Sequence, residues 1–329
     1  MTDMETRVES LVPASGLYSG PIVDSHMHLW DLSMHRHSWL SESADFAGGR
    51  YSWLAHDYLL SDYRRDIEGE GVVASVHIEA LWDRTDDPRN ETGWLESLDH
   101  TDDLASRYVV AVQFGCGDTE DQISHAAEAD RVAGVRQIIA WHPSSRSMTD
   151  TEHLVKDPDW RSALPALQAA DLILELLLFP GQAVEVAELA AEFPDLTIVV
   201  DHLASPFDPS SEGLALWSEG LQALARVGNV MLKISSVQDY LPVATMEATT
   251  GIIRKAVDEF GADRVMIGSD FPVGGKNMSL HAVLLQYRTA MSHLSSAQQF
   301  AVFCGNAARV YNMPQYGIAS TLSWGEARE

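Results

Sequence analysis

Short runs of β-branched and apolar residues alternate with helix-patterned segments along the whole chain. That alternation restricts the fold to parallel strands joined by helical crossovers. Eight such runs fall at 22–26, 72–79, 108–114, 134–139, 172–177, 196–201, 230–234 and 264–269. Helical patterns follow at 91–107, 120–131, 160–170, 182–192, 212–226 and 246–260. Eight strand–helix units over roughly 250 residues match an α/β single-domain (β/α)8 TIM barrel. An open doubly wound sheet would need a glycine-rich phosphate turn after its first strand, whereas DSHMHLWD follows Val23. With no internal repeat or low-complexity linker, the chain divides into an extension at 1–20, one barrel at 21–312 and a tail at 313–329. The segment at 32–58 is too long for an ordinary strand-to-helix loop and is expected to fold over the barrel mouth.

Charge narrows the partners. Lys and Arg total 22 against 48 Asp and Glu, a formal charge of -26, and the resulting field repels nucleic acid. A neutral or weakly charged small-molecule substrate fits better, although salt confines the field to about 8 Å. Hydrophobic residues at 46% are enough to build the core without disulfides. Cys116 and Cys304 lie far apart, and the start MTDMETRVES has neither a basic n-region nor an apolar h-region, which points to a reducing cytoplasm. Apolar runs such as 172–179, interrupted by Glu175, are too short for a membrane span. A homo-oligomer is compatible with the sequence.

Chemistry-bearing residues gather at strand ends. His26 and His28 close the first strand two positions apart, so their side chains share a face directed at the barrel mouth. Converging imidazoles suit Zn²⁺, but a lone HxH pair is equally well two hydrogen-bonded histidines. In VVDHLASP the strand runs into Asp201 and His202, which taken alone reads as a helix cap by Asp201 beside a satisfied histidine. RVMIGSDFP ends in Asp270, a residue that can also cap a helix. Three strands ending this way exceed what capping alone accounts for.

VDSHMHLWD, HIEA, GVRQII, VVDHLASP, VMLKIS, IGSDFPV and GNAARVY resemble, in this order, the amidohydrolase-related family of the amidohydrolase superfamily, in the branch of sugar-acid lactonases and the pyrone-dicarboxylate lactonase. The resemblance spans about 21–311. It implies that His26, His28 and Asp270 are ligands for one divalent ion, zinc above all, with Glu79 as a further candidate. It also implies Asp270 as the base that takes a proton from water, His202 as its catalytic partner, and Arg136 and Glu79 as substrate contacts. His142 and Trp30 are added as substrate-contact candidates because they follow strand ends. Trp82 and Trp141 share that placement.

Departures from the family pattern are informative. The fifth strand reads LILELLLFPGQ, with Glu175 and Gln182 where metal-holding relatives place a histidine, and the fourth carries no lysine for a two-metal centre. Lys233 within VMLKIS demands a carboxylate partner if buried and is read as a structural ion pair. His35, His37 and His56 in the long first loop read as solvent-exposed. The expected reaction is hydrolysis of a sugar-like lactone, since a dicarboxylate calls for several arginines and Arg136 stands out, with Arg84 and Arg146 weaker. The alternatives are metal-dependent nonoxidative decarboxylation of an aromatic or unsaturated acid, or a barrel that binds a ligand without catalysis.

Overall fold

Strands buried on both faces need no polar alternation, and each apolar run above becomes a strand of one parallel sheet. In the computed structural model, which describes residues 16–40, 51–83, 85–144, 147–241 and 245–317, these are β1 (Ile22–Met27), β2 (Val72–Ile78), β3 (Arg107–Ala111), β4 (Val132–Ile138), β5 (Ile173–Leu177), β6 (Ile198–Val200), β7 (Val230–Ile234) and β8 (Val265–Ile267). Their order in the sheet is their order in sequence, and every neighbouring pair is parallel. The seam closes beyond β8, where Asp270 N donates to His26 O at 2.8 Å and His28 N to Phe271 O at 2.8 Å. The barrel is therefore held shut by the backbone of the same residues that carry the strand-end imidazoles and acid.

One principal outer helix follows each strand: α1 (Leu60–Asp66), α2 (Arg89–Glu96), α3 (Thr119–Glu128), α4 (Leu164–Ala169), α5 (Ala183–Glu192), α6 (Ser211–Ala225), α7 (Met246–Phe260) and α8 (Leu280–Ala290). Ser210, Thr245 and Ser279 cap α6, α7 and α8 by accepting from Gly213 N, Ala248 N and Ala282 N. The helix expected at 91–107 stops at Glu96. Asp99 and Asp102 there accept from the nearby backbone of Thr101 and Leu104, an arrangement that competes with helical pairing. The pattern at 160–170 breaks into Pro158–Arg161 and α4, because Pro165 is tolerated only in a first turn. Among the described residues no helix is long and apolar enough to cross a membrane.

The barrel interior is layered. Val23, Val76, Val109, Ile173, Val199, Met231 and Met266 form an apolar floor with Cys304, Tyr311 and Met313 from the terminal helical segment, which thereby seals the barrel bottom. Two residues further along β5, β6 and β7, the pleat brings Glu175, Asp201 and Lys233 to the inner face above that floor. A charged layer this deep must be internally paired.

Candidate active site

Above the charged layer, three strand ends converge. His26 and His28 Nε2 are 3.2 Å apart, and Asp270 Oδ1 lies 3.4 Å from the first and 3.2 Å from the second. The His202 ring centroid is 4.7 Å from that of His26. The cavity they face holds about 500 Å³ of open space, mouth included, and is lined by His28, Glu79, Arg136, His202, Ser236, Tyr240 and Asp270 with apolar walls from Trp39, Tyr51, Ile138, Met148, Leu177 and Val273.

Backbone strain places two of the key groups. Residues His202, Leu203, Ala204 and Ser205 all adopt left-handed φ between 52° and 57°, and Asp270 has φ 59°. Each such non-glycine residue costs on the order of 1 kcal/mol or more, and strain of this kind concentrates where geometry serves function. Close packing helps as well. A Cβ on Gly268 would stand 2.5 Å from His26 Cβ, so only glycine lets β8 approach β1 this closely. Asp24, missed in the sequence reading, clips the seam by accepting from Ser269 N at 2.7 Å, His26 N at 3.2 Å and Tyr63 Oη at 2.7 Å.

Outer hydrogen bonds orient the rings. His28 Nδ1 donates to Ile78 O at 2.8 Å, which turns Nε2 toward Asp270 Oδ1 and His26 Nε2. His202 Nδ1 meets Ser235 Oγ at 2.8 Å. Burial lowers the pKa of His26 and His202, with Asp201 opposing the shift at the first and Asp270 at the second. Burial opposes charge on Asp270 too, but His202, His28 and His26 outweigh it and hold the carboxyl below its usual range.

Beneath this cluster lies a buried ion network. Arg136 donates through Nε to Asp201 Oδ2 at 3.0 Å and through Nη1 to Glu79 Oε1 at 3.2 Å, while Glu79 Oε2 accepts from Leu81 N at 2.9 Å. Lys233 Nζ pairs with Glu175 Oε1 and lies 3.3 Å from His26 Nδ1 and 3.7 Å from Asp201 Oδ1. Burial pushes Glu175 up to about 8, with Asp201 adding to the rise and Lys233 opposing it. Burial works against Asp201 as well, yet His26, Arg136 and Lys233 hold it well below the carboxylate norm.

Most of the strand-end residues singled out in the sequence come together: His26, His28, His202, Asp270, Arg136 and Glu79 all lie at this cavity or its floor. Others do not. Trp30 is fully buried in the core and donates to His56 O. His142 and Trp141 line a neighbouring cavity with Phe179 and Phe207, and Trp82 lines a third. Glu79 pairs with Arg136 and stands apart from the imidazole cluster. Asp201 makes no capping bond and belongs to the ion network, which corrects the cap reading. His35 and His56 are exposed, whereas His37 is buried against Trp82, its ring centroid 5.4 Å away. The aromatic walls instead come from Trp39, Tyr51 and Tyr240, which lie in the connections after strands, Trp39 and Tyr240 on helical turns of three and four residues too short for any periodicity to mark them. The described flanks of the long first loop do reach the mouth. Arg84 and Arg146 lie outside the described residues.

The donor chemistry fits one divalent ion. His26 Nε2, His28 Nε2 and Asp270 Oδ1 lie within 3.4 Å of one another, and His202 stands close enough to His26 and Asp270 to serve either as a ligand or as a hydrogen-bond donor beside them. Four buried carboxyl groups, Glu79, Glu175, Asp201 and Asp270, face two cations, Arg136 and Lys233, so that even with Glu175 protonated a negative charge remains for a metal to offset. Asp201 Oδ1, fully buried and without a hydrogen-bond partner, lies 3.3 Å from His26 Nδ1. A proton on Nδ1 directed at that oxygen frees His26 Nε2 for a ligand bond.

A closed parallel barrel whose mouth gathers imidazoles from β1 and β6 with an acid from β8 is the architecture of a barrel hydrolase. The chain belongs to the amidohydrolase family, whose model matches residues 23–313. It is 29% identical over 296 residues to an uncharacterised protein of Sinorhizobium fredii, covering 89% of this chain and 98% of that one. It is 28% identical over 306 residues to L-fucono-1,5-lactonase of Burkholderia multivorans, covering 89% and 96%. A solved amidohydrolase of Burkholderia multivorans with bound HEPES superposes with a TM-score of 0.74 at 25% identity, covering 89% and 99%. A second crystal form with bound zinc gives 0.74 at 24% identity, covering 89% and 99%.

Proposed function

We propose that this enzyme hydrolyses the ester bond of a neutral sugar-acid lactone, with Asp270 as general base. The observation that carries the reading is an ionised, buried Asp270 at the floor of a cavity whose one cation among the described lining residues, Arg136, is already matched by two carboxylates. A dicarboxylate lactone would have to compete with Glu79 and Asp201 for that guanidinium. A polyol ring needs only hydrogen bonds and an apolar wall, which Trp39, Tyr51 and Tyr240 provide. The lactonase name of the Burkholderia multivorans relative agrees with this choice.

His26, His28 and Asp270 would hold one divalent ion, zinc in keeping with two imidazoles and a carboxylate, and the ion would supply Lewis-acid polarisation of the lactone carbonyl. Asp270 accepts the proton of the attacking water. Ser235 donates to His202 Nδ1, so that His202 Nε2–H faces the carbonyl oxygen and stabilises the negative charge that grows there. As the acyl–oxygen bond breaks, Asp270 returns the proton to the ring oxygen, giving a hydroxy acid. Arg136 has Nε and Nη1 committed, which leaves Nη2 to orient a substrate hydroxyl.

A pH-indicator screen of aldonolactones, with and without chelator, tests the reading. At least one sugar lactone should release acid, and Asp270→Asn should lower kcat by about 10²–10⁴-fold. Undiminished turnover by the variant, or release of carbon dioxide from an aromatic acid in place of lactone opening, would overturn it.

A further inference from the structure

A second donor set lies directly beneath the first. His26, Glu175 and Asp201, all fully buried, present ligand atoms within 4.8 Å of one another. An imidazole and two carboxylates at that spacing are themselves a divalent-cation site. Here the position is taken. The Lys233 ammonium contacts Glu175 Oε1 and lies 3.3 Å from His26 Nδ1 and 3.7 Å from Asp201 Oδ1, so it sits among the three donor atoms of the set. Asp201 Oδ1 is fully buried, lies beyond hydrogen-bond distance of Lys233 Nζ, and is directed into the same space. The floor of this pocket is fixed from below as well, because Tyr311 donates to the other oxygen of Glu175 at 2.9 Å and its ring centroid is 5.3 Å from Nζ.

We propose that Lys233 is a built-in cation occupying an inner metal site, and that removing its ammonium lets a divalent ion that the wild type does not bind there take Glu175, Asp201 and His26 Nδ1 as ligands, with the Nδ1 proton released to solvent so that the imidazolate of His26 bridges the inner and outer positions. Lys233 is thus a positioning residue. It contacts Glu175, leaves Asp201 available to Arg136 and His26, and confines metal binding to the outer set of the proposed hydrolase site. A compact point charge on a flexible stem can be seated in a space of metal-ion size, which the planar guanidinium of arginine cannot match. The side chain on β7 that closes this position lies 207 residues from His26.

The test is metal stoichiometry. Wild type and Lys233→Ala are stripped with chelator, dialysed against zinc at neutral pH, desalted and measured by elemental analysis, with folding followed by circular dichroism. Lys233→Ala should carry one zinc more per chain than wild type, and Lys233→Ala/Glu175→Gln should lose that extra ion. The alanine variant should also show a thermal midpoint that rises with zinc beyond the amount that saturates wild type. Because the reading is the difference between two proteins, it holds even if wild type retains no zinc, an outcome that would count only against the proposed outer ion. Equal zinc in wild type and a folded Lys233→Ala overturns the inference, as does a wild type that binds two ions. Should Lys233→Ala fail to fold at every zinc concentration while Lys233→Met/Glu175→Gln folds, the inference is also overturned, since a vacated donor set would have been refilled.

Discussion

Gly268→Ala is the substitution that most directly links the packing of this barrel to its chemistry. The added Cβ would lie 2.5 Å from His26 Cβ and 3.0 Å from His26 N. Carbon atoms normally meet at about 3.5–4.0 Å, so the ends of β1 and β8 must part by about 1 Å. Overpacking of this kind costs about 1–3 kcal/mol. Each kcal/mol lowers Tm by about 2–4 °C in chains somewhat smaller than this one. The larger effect falls on catalysis, because the displaced strand ends carry His26 and Asp270. A shift of about 1 Å between reacting groups costs about 100-fold in rate. Gly251→Ala is the control: Gly251 sits in α7 with nothing within 4 Å of its added Cβ, and alanine there should be neutral or stabilising. Steady-state kinetics on the best lactone and differential scanning calorimetry read both effects. A Gly268→Ala protein with wild-type kcat/KM and an unlowered Tm would refute the claim that this glycine sets the spacing of the site.

Further tests address the ion network, the histidines and the thiols. Arg136→Met leaves Asp201 and Glu79 buried without their cation, and stability by urea denaturation should fall by about 3–5 kcal/mol; an unchanged midpoint would mean that water or another cation already compensates. His26, His37, His77 and His202 all have pKa values lowered by burial, so below pH 6.5 the unfolded chain takes up protons that the native state refuses, and stability is lost as pH falls. Glu175, raised to about 8, works the other way between its unfolded and folded values, leaving a net loss of at most about 4 kcal/mol per pH unit between pH 6.5 and 5. Denaturation curves at pH 7, 6 and 5 that coincide would contradict this balance. Burial pushes the Cys304 thiol up to about 12, so at pH 8 it is protonated and inert, and a native thiol titration should find only the partly exposed Cys116 reacting quickly; two fast thiols would place Cys304 elsewhere.

Local periodicity made much of this molecule legible from sequence. Strand positions, the shared face of His26 and His28, and the appearance of His202 and Asp270 where strands end all follow from a period of two and from turn chemistry, which act within a few residues. Helix ends were less accessible, because the aspartates at 99 and 102 and the proline at 165 compete with the pattern locally.

Tertiary structure alone decided the rest. Asp201 reads as a cap until barrel closure brings Arg136, His26 and Lys233 around it, and Lys233 reads as a buried ion pair with no stated partner. Trp30, next to the motif, turns inward to the core, while Trp39 and Tyr51 reach the cavity because the path of a long loop depends on what it packs against. A strand's own sequence fixes which of its side chains share a face. Only the curvature and register of the closed sheet fix which residues, two hundred positions apart, share a layer inside it.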